Sequence, residues 1–378
     1  MKAARKAYAS RALPVTVKTG PVQENIIKGD DINLLDFPEP RWHRLDGGRY
    51  INTMQGSVTR YPVSGRMNVG IYRGMVGQKD TIPVLLWRPQ NWGQDMAKYA
   101  GEKREMPVAF IYGWEPCMPF AASSPIPPDV SEYDVMGAIR GAPVKLVDCE
   151  TVPLQVPASA EIVIEGFISN DPETFEMEGP FGEYTGYFGG DQAKKHKVRV
   201  TFIIHRNNPI MRGTLEGAML KMLSENSVMS SVQRAALAWN IVERAGVPGV
   251  TDVHCPVANN GTTLMIQLRQ TYRGQAKQAA AVWGSSAAHL RYKHIWVVDE
   301  DIDIHDCGAL DPSTRLKYRN TALYGTGKWC RVLIDCTVNL DFEPEENYGG
   351  DRYPPLVKLM PQDREKVDRR WKEYGFKK

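Results

Sequence analysis

The sequence predicts an α/β protein of the α+β kind: an antiparallel-rich first domain, a long helix, and a smaller α/β domain. Three observations carry this. Short apolar runs bounded by turn residues recur in the first half, as at Ile82-Pro83-Val84-Leu85-Leu86-Trp87 and Pro107-Val108-Ala109-Phe110-Ile111-Tyr112, the pattern of buried strands. A helical stretch starting near Leu215 or Asn226 runs to Ala245 and is ended by Gly246 and Pro248. Beyond it strand and helix alternate through Thr263–Leu268, Gln275–Trp283, His294–Val298 and Arg331–Ile334, which reads as parallel strands joined by crossovers.

Composition narrows the function classes. At 378 residues the chain can bury a large core and hold two domains. Its net charge of +3 argues against a nucleic-acid footprint. No apolar run is long enough to cross a bilayer, and the basic start, Met1-Lys2-Ala3-Ala4-Arg5-Lys6, has no apolar segment behind it as a secretory signal would. The six cysteines are scattered without a CxxC pair, which suits free thiols and a cytoplasmic location. The seven histidines show no zinc spacing, and neither a Walker loop nor a GxGxxG after a strand is present.

Taken in order, residues 1 to about 50 are irregular, with Gly20-Pro21 and Pro38-Glu39-Pro40. Arg41–Tyr50 is dense in rings and charge around Gly47-Gly48, either a capped loop or part of a site. In Met67-Asn68-Val69-Gly70-Ile71-Tyr72-Arg73, strand alternation puts Val69, Ile71 and Arg73 on one face. A guanidinium among apolar side chains needs a carboxylate partner, as a structural ion pair or as an anion clamp. Residues 114–128 are rich in Pro and Ser yet too apolar for a linker, and could offer backbone groups to a ligand. A helix is entered near Ser131, with Asp129 and Glu132 where acids favour the dipole.

Strands at Glu161–Ile168 and Val198–His205 flank the most unusual stretch, Met177-Glu178-Gly179-Pro180-Phe181-Gly182-Glu183-Tyr184-Thr185-Gly186-Tyr187-Phe188-Gly189-Gly190. On a strand or a helix, Glu178 and Glu183 would diverge; a Gly-Pro-Phe-Gly turn can bring both to one side. Four nearby rings would exclude water, the setting in which one carboxyl donates a proton while its neighbour stays ionised. The plain alternative is a surface loop with two solvated glutamates. Farther on, Asp299-Glu300-Asp301-Ile302-Asp303 could bind a divalent cation but more simply caps a helix or faces solvent. The tail from Pro361 to Lys378 reads as a charged helix with a solvated face.

Together, Asn68-Val69-Gly70-Ile71-Tyr72-Arg73, Arg88-Pro89-Gln90, Ala122-Ser123-Ser124-Pro125-Ile126-Pro127 with Glu132, the Glu178–Glu183 turn and the Asp299–Asp303 string resemble, in order, the UbiD-type decarboxylases, over about Gly20 to beyond Asp335. The resemblance implies a split-barrel-like domain binding prenylated FMN at 1–213, a connecting helix at 214–246, and a smaller α/β oligomerisation domain with a C-terminal helix at 247–378. It implies a catalytic set of Arg73, Glu178 and Glu183; cofactor contacts at Thr53, Asn68, Ile71, Tyr72, Arg73, Gln90, Ser123, Ser124 and Pro125; and metal ligands at Asn68, Asn91 and Glu132. Implied cofactors are prenylated FMN, Mn2+ or Mg2+, and K+. Implied partners are a small carboxylic acid and CO2, a UbiX-type flavin prenyltransferase as cofactor supplier, and further copies in a homodimer or homohexamer. The expected activity is reversible non-oxidative decarboxylation of an aromatic, heteroaromatic or α,β-unsaturated acid, with Arg73 positioning the carboxylate and Glu183 as proton donor. The alternatives are a non-catalytic or assembly subunit of a multi-subunit (de)carboxylase and a plain-FMN oxidoreductase.

The sequence departs from the family at three places. Members carry a further leading segment before the region where this chain begins, and a tryptophan-containing helix and strand after the acid string. Here Asp303 runs through His305-Asp306-Cys307-Gly308 almost directly into Ala309-Leu310-Asp311-Pro312-Ser313. Asn91 stands where many members have a metal-binding histidine, and an amide oxygen is the weaker ligand.

Overall fold

The computed structural model describes residues 5–6, 10–124, 126, 130–189, 191–217, 224–257, 262–284, 294–306, 343–357 and 360–375. The expected strand Arg331–Ile334 and the expected cofactor contact Pro125 lie outside the described residues.

The first half is built on strands β1 (Asn25–Lys28), β2 (Gly56–Arg60), β3 (Met67–Gly70), β4 (Thr81–Pro83), β5 (Met106–Tyr112), β6 (Ile162–Ile168), β7 (Glu176–Glu178), β8 (Ala193–Lys195) and β9 (Lys197–His205). Seven of them form one antiparallel sheet in the order β1-β9-β6-β5-β2-β3, with β4 also on β9, while β7 and β8 pair separately. Strand β5 is buried along its whole length, as expected of a central strand covered on both faces. Its Val108, Phe110 and Tyr112 join one apolar cluster, and Ala109 and Ile111 another.

Helix α1 (Asn91–Gly101) covers the first face with Trp92, Met96 and Tyr99. The second is covered by α2 (Cys117–Ala122) and α3 (Glu132–Arg140), through Met118, Ala121, Tyr133, Val135 and Met136. Helix α3 starts where the sequence predicts: the Ser131 hydroxyl accepts from Tyr133 N, and Gly141, at φ 77°, ends it. At the centre of β6 a bulge between Glu165 and Gly166 marks a close approach, since a Cβ on Gly166 would lie 2.4 Å from Arg199 O.

Two first-half expectations change. The run Ile82–Trp87 is only briefly a strand, Trp87 being exposed, because Pro83 and Pro89 bracket a chain turning into α1. The Met67–Arg73 run ends as a strand at Gly70, so Arg73 is carried by the loop beyond it.

Helix α4 (Glu225–Arg244) is N-capped by Ser224, and residues 215–217 are not helical, so the later of the two expected starts is observed. It packs Ala235, Ala238 and Val242 against strands β10 (Val250–His254) and β11 (Thr263–Leu268). Helix α5 (Gln275–Gly284) then crosses to β12 (His294–Asp299). The expected all-parallel sheet is mixed: β11 and β12 are parallel, but β10 is antiparallel to β11, because no crossover helix separates that pair. Helix α6 (Pro361–Arg369) has no buried residue, as a solvated charged face predicts.

Candidate active site

The stretch around Glu178 is shaped by close backbone packing. Glu178 ends β7, opposite Ala193 of β8. The next residue, Gly179, has a φ of 93°, a conformation that favours glycine. Gly47 lies so close that a Cβ there would sit 1.8 Å from Gly179 O. The Gly47 N–H donates to Pro180 O at 2.7 Å, and Asp46 accepts from Gly182 N at 2.9 Å and from His43 N at 2.8 Å. Gly47 and Asp46 of the 41–50 segment therefore hold the turn in place.

The loop after β3 delivers Arg73 into this turn. Its Nε donates to Glu178 Oε1 at 2.9 Å and its Nη2 to Glu178 Oε2 at 3.0 Å, a bidentate grip. Its Nη1 donates to Glu183 Oε1 at 2.5 Å and to Gly189 O at 3.3 Å. Two further donors reach Glu178: Tyr50 Oη to Oε1 at 2.8 Å and Lys195 Nζ to Oε2 at 2.7 Å. Glu178 is fully buried, whereas the Glu183 side chain keeps 29% of its exposure. Phe181 lies against both the Tyr50 ring and the Arg73 guanidinium.

This layout sets the charges. Burial pushes the Glu178 carboxyl up, but the charge and hydrogen bonds of Arg73, joined by Lys195, outweigh it, and the net shift is downward. Burial also opposes the Arg73 cation; Glu178 and then Glu183 reverse that and hold it protonated. Burial, reinforced by the Glu178 anion, drives the Tyr50 hydroxyl far upward, so it remains a donor. Of the four rings expected to shield the acids, Phe181 and Phe188 are buried but Tyr187 is exposed. Tyr50 does much of that sealing instead.

A second polar cluster lies beneath β3. Asn91, at the start of α1, donates to Asn68 Oδ1 at 2.8 Å, and Glu132, at the start of α3, accepts from Val69 N at 2.8 Å. Burial raises the Glu132 carboxyl to about 7, with the Val69 N–H opposing. Behind Asn68, Thr59 receives its amide at 3.3 Å and donates to Asp95 at 2.5 Å. Oxygen-only donors of this kind suit Mg2+ or Mn2+ better than zinc. Among the described residues no group of three His, Cys, Asp or Glu is arranged as a metal site, and that includes the Asp299–Asp303 string.

The remaining candidates spread around this core. Thr53 is buried and its hydroxyl accepts from Thr214 N at 3.0 Å. Ile71 and Gln90 are half-buried. The hydroxyls of Ser123 and Ser124 are turned back onto Pro119 O and Phe120 O, both at 2.7 Å, so a ligand would meet their backbone. The Tyr72 ring stacks on Trp92 at 4.1 Å inside the core, because the chain turns after Gly70, and the Tyr72 carbonyl accepts from Gln55 Nε2 at 2.6 Å. Sequence reasoning missed Lys195, and it named Asp46 and Tyr50 only as members of the 41–50 segment, without a role for either. A signal existed for Lys195, one lysine in the run Lys194-Lys195-His196-Lys197 behind the glutamate turn, but strand pairing alone places it.

Comparison with known proteins assigns the sequence and fold to a class. The sequence model of the 3-octaprenyl-4-hydroxybenzoate carboxy-lyase Rift-related domain (UbiD) covers residues 14–219, and that of the C-terminal domain covers 227–312. The chain belongs to the UbiD family of carboxy-lyases, which are decarboxylases. An uncharacterized protein of Aquifex aeolicus (strain VF5) is 34% identical over 387 residues, spanning 97% of this chain and 76% of that protein. Similar solved structures include an evolved dimeric form of the UbiD-class enzyme HmfF from Pelotomaculum thermopropionicum in complex with prFMN, at a TM-score of 0.74 and 30% identity over 84% of this chain and 71% of that one. The vanillic acid decarboxylase of Sedimentibacter hydroxybenzoicus in its closed form matches at a TM-score of 0.74 and 27% identity, over 85% of this chain and 66% of that one. Among the described residues no helix is long and apolar enough to cross a membrane.

Proposed function

We propose that this chain is a prenylated-FMN-dependent, reversible, non-oxidative decarboxylase of an aromatic, heteroaromatic or α,β-unsaturated carboxylic acid. The observation that carries the reading is the single guanidinium of Arg73 bonded to both Glu178 and Glu183. The family membership and the prFMN complex of HmfF support the cofactor.

The residues present fit such a group. Asn68 and Asn91 are hydrogen-bonded to one another and Glu132 is held on the Val69 N–H beside them, a cluster of oxygen donors of the kind a hard divalent cation takes. Asn68, Asn91 and Glu132 would hold the divalent cation, with Thr53, Gln90 and the backbone of Ile71, Tyr72, Ser123 and Ser124 around the flavin. Bound there, the prenylated flavin supplies the electron sink that no side chain offers.

The chain's own residues manage position and protons. Arg73 spends four of its five N–H groups on protein acceptors. One is left for a substrate oxygen, so Arg73 orients the acid through one hydrogen bond and keeps Glu178 ionised. Glu183, half open and held at one oxygen, gives its proton to the substrate carbon after CO2 leaves. Tyr50 and Phe181 close off the Glu178 and Arg73 side of the pair from water, which leaves Glu183 as the accessible acid.

In the same reading, residues 1–213 form the cofactor domain, 214–246 the connecting helix and 247–378 the oligomerisation domain. A potassium ion beside the divalent cation, a flavin prenyltransferase as supplier, and a homodimer or homohexamer belong to it as well.

The test is co-expression with a flavin prenyltransferase, then CO2 release from a panel of such acids. Glu183→Gln is expected to keep its flavin and lose turnover. Full turnover in that variant removes the proton-donor role. A wild-type chain that takes up no prenylated flavin, even with Mn2+ and K+, points instead to a non-catalytic assembly subunit, the reading that Asn91 favours.

A further inference from the structure

We propose that Lys195 is a positioning residue of this site: its ammonium completes the donor shell of Glu178, so that Glu178 stays a fixed anion and only Glu183 exchanges a proton with the substrate. The inference rests on the decarboxylase reading and adds a residue that the motif does not contain.

The donor count argues for it. Glu178 Oε1 receives Arg73 Nε at 2.9 Å and Tyr50 Oη at 2.8 Å; Oε2 receives Arg73 Nη2 at 3.0 Å and Lys195 Nζ at 2.7 Å. A carboxylate has about four acceptor positions, and here all are taken. No lone pair is left for a proton from the substrate. Glu183, by contrast, has one charged contact and a side chain that reaches solvent.

The charge count points the same way. Arg73 alone faces two carboxylates, an excess of one negative charge in a site that buries Glu178 completely. Such an excess raises the pKa of one acid and leaves which one open. Lys195 balances the charge and does so on the Glu178 side only. The other groups around Glu178 do not supply this balance. Tyr50 is neutral, Asp46 is engaged by the Gly182 and His43 N–H groups, and the neighbouring Lys197 is paired with Glu176, which also takes the Thr81 hydroxyl.

Position explains why this lysine and not the next. In the β7–β8 pair, Lys195 stands opposite Glu176, two residues before Glu178. Side chains two apart share a strand face, so a long diagonal side chain from Lys195 reaches Glu178. Its side chain is only 19% exposed. An ammonium is taken that far out of water only against an anion.

The experiment compares wild type, Lys195→Met, Lys195→Arg, Glu178→Gln and the Lys195→Met/Glu178→Gln double variant. In flavin-loaded protein of equal flavin content, Lys195→Met is expected to move the pH profile of kcat up by about one unit, the effect of losing a neighbouring opposite charge, with KM little changed. Lys195→Arg restores the profile. In protein without flavin, thermal unfolding against pH gives a second readout: Lys195→Met lowers stability at neutral pH and flattens the acid fall of Tm below pH 4.5, because the folded-state Glu178 carboxyl then lies closer to its unfolded value, and on the Glu178→Gln background the lysine change no longer alters that slope. An unshifted profile with an unaltered acid slope overturns the proposal, as does a Lys195→Met effect that persists undiminished in the double variant. If wild type turns over no acid, the decarboxylase reading fails while the flavin-free titration still decides the role of Lys195.

Discussion

Glu183 meets Arg73 through one nitrogen, Nη1 to Oε1 at 2.5 Å, whereas Glu178 takes the whole Nε–Nη2 edge of the same guanidinium. One cation is thus shared unequally between two acids that the chain places on a single turn. Unequal sharing gives chemically identical side chains different work.

Arg73→Met should be among the most damaging substitutions in the chain. It leaves Glu178 buried with Tyr50 and Lys195 as its remaining donors. Removing one partner of a buried ion pair costs about 3–5 kcal/mol, and Lys195 should hold the loss near the lower end. Urea unfolding of the flavin-free protein measures it; a loss below about 1 kcal/mol, the scale of surface pairs, contradicts the burial described above.

The pH dependence of stability follows from Glu178. Its carboxyl titrates below the ordinary value of 4.5 in the folded chain. The folded state then binds fewer protons than the unfolded one, so this group's stabilisation is fully present above that value and fades as pH falls through the depressed one. Glu178→Gln should lower stability at neutral pH and flatten the acid side of the Tm–pH curve. Calorimetry below and above pH 4.5 checks the sign.

Gly47→Ala tests the clamp without touching a charge. The added methyl would stand 1.8 Å from Gly179 O, so the glutamate turn has to move. Overpacking of this kind costs about 1–3 kcal/mol. Turnover should fall while Gly65→Ala, in open space at a φ of 72°, perturbs stability through the backbone alone and leaves turnover intact.

Metal dependence should report on the second cluster. Mn2+ added with the flavin is expected to raise Tm in wild type, since a ligand at about 100 times its Kd adds roughly 2.7 kcal/mol. Glu132→Gln should abolish most of that gain, and Asn91→His should bring it in at lower metal concentration, an imidazole being the stronger ligand. Equal gains in all three chains would remove these residues from the metal site.

Much of this was legible in the residues. The strands β5, β6 and β9 follow from apolar runs bounded by turn residues, and the start of α3 from Ser131. Arg73 was marked by a charge on an apolar face, and Glu178 and Glu183 by glycines and a proline that deny them a regular element. These are local signals, set by period, cap and backbone freedom within a few residues. They also carried the family resemblance.

Tertiary structure alone decided the rest. Lys195 reaches the glutamate turn from a segment with no motif of its own, Tyr50 and Asp46 reach it from one whose role the residues leave open, and the antiparallel β10 is a pairing choice made across space. The reason is physical: a buried carboxylate demands donors, but any strand that passes within reach can supply them. Local sequence therefore specifies the demand, and only the packing of distant strands specifies who meets it.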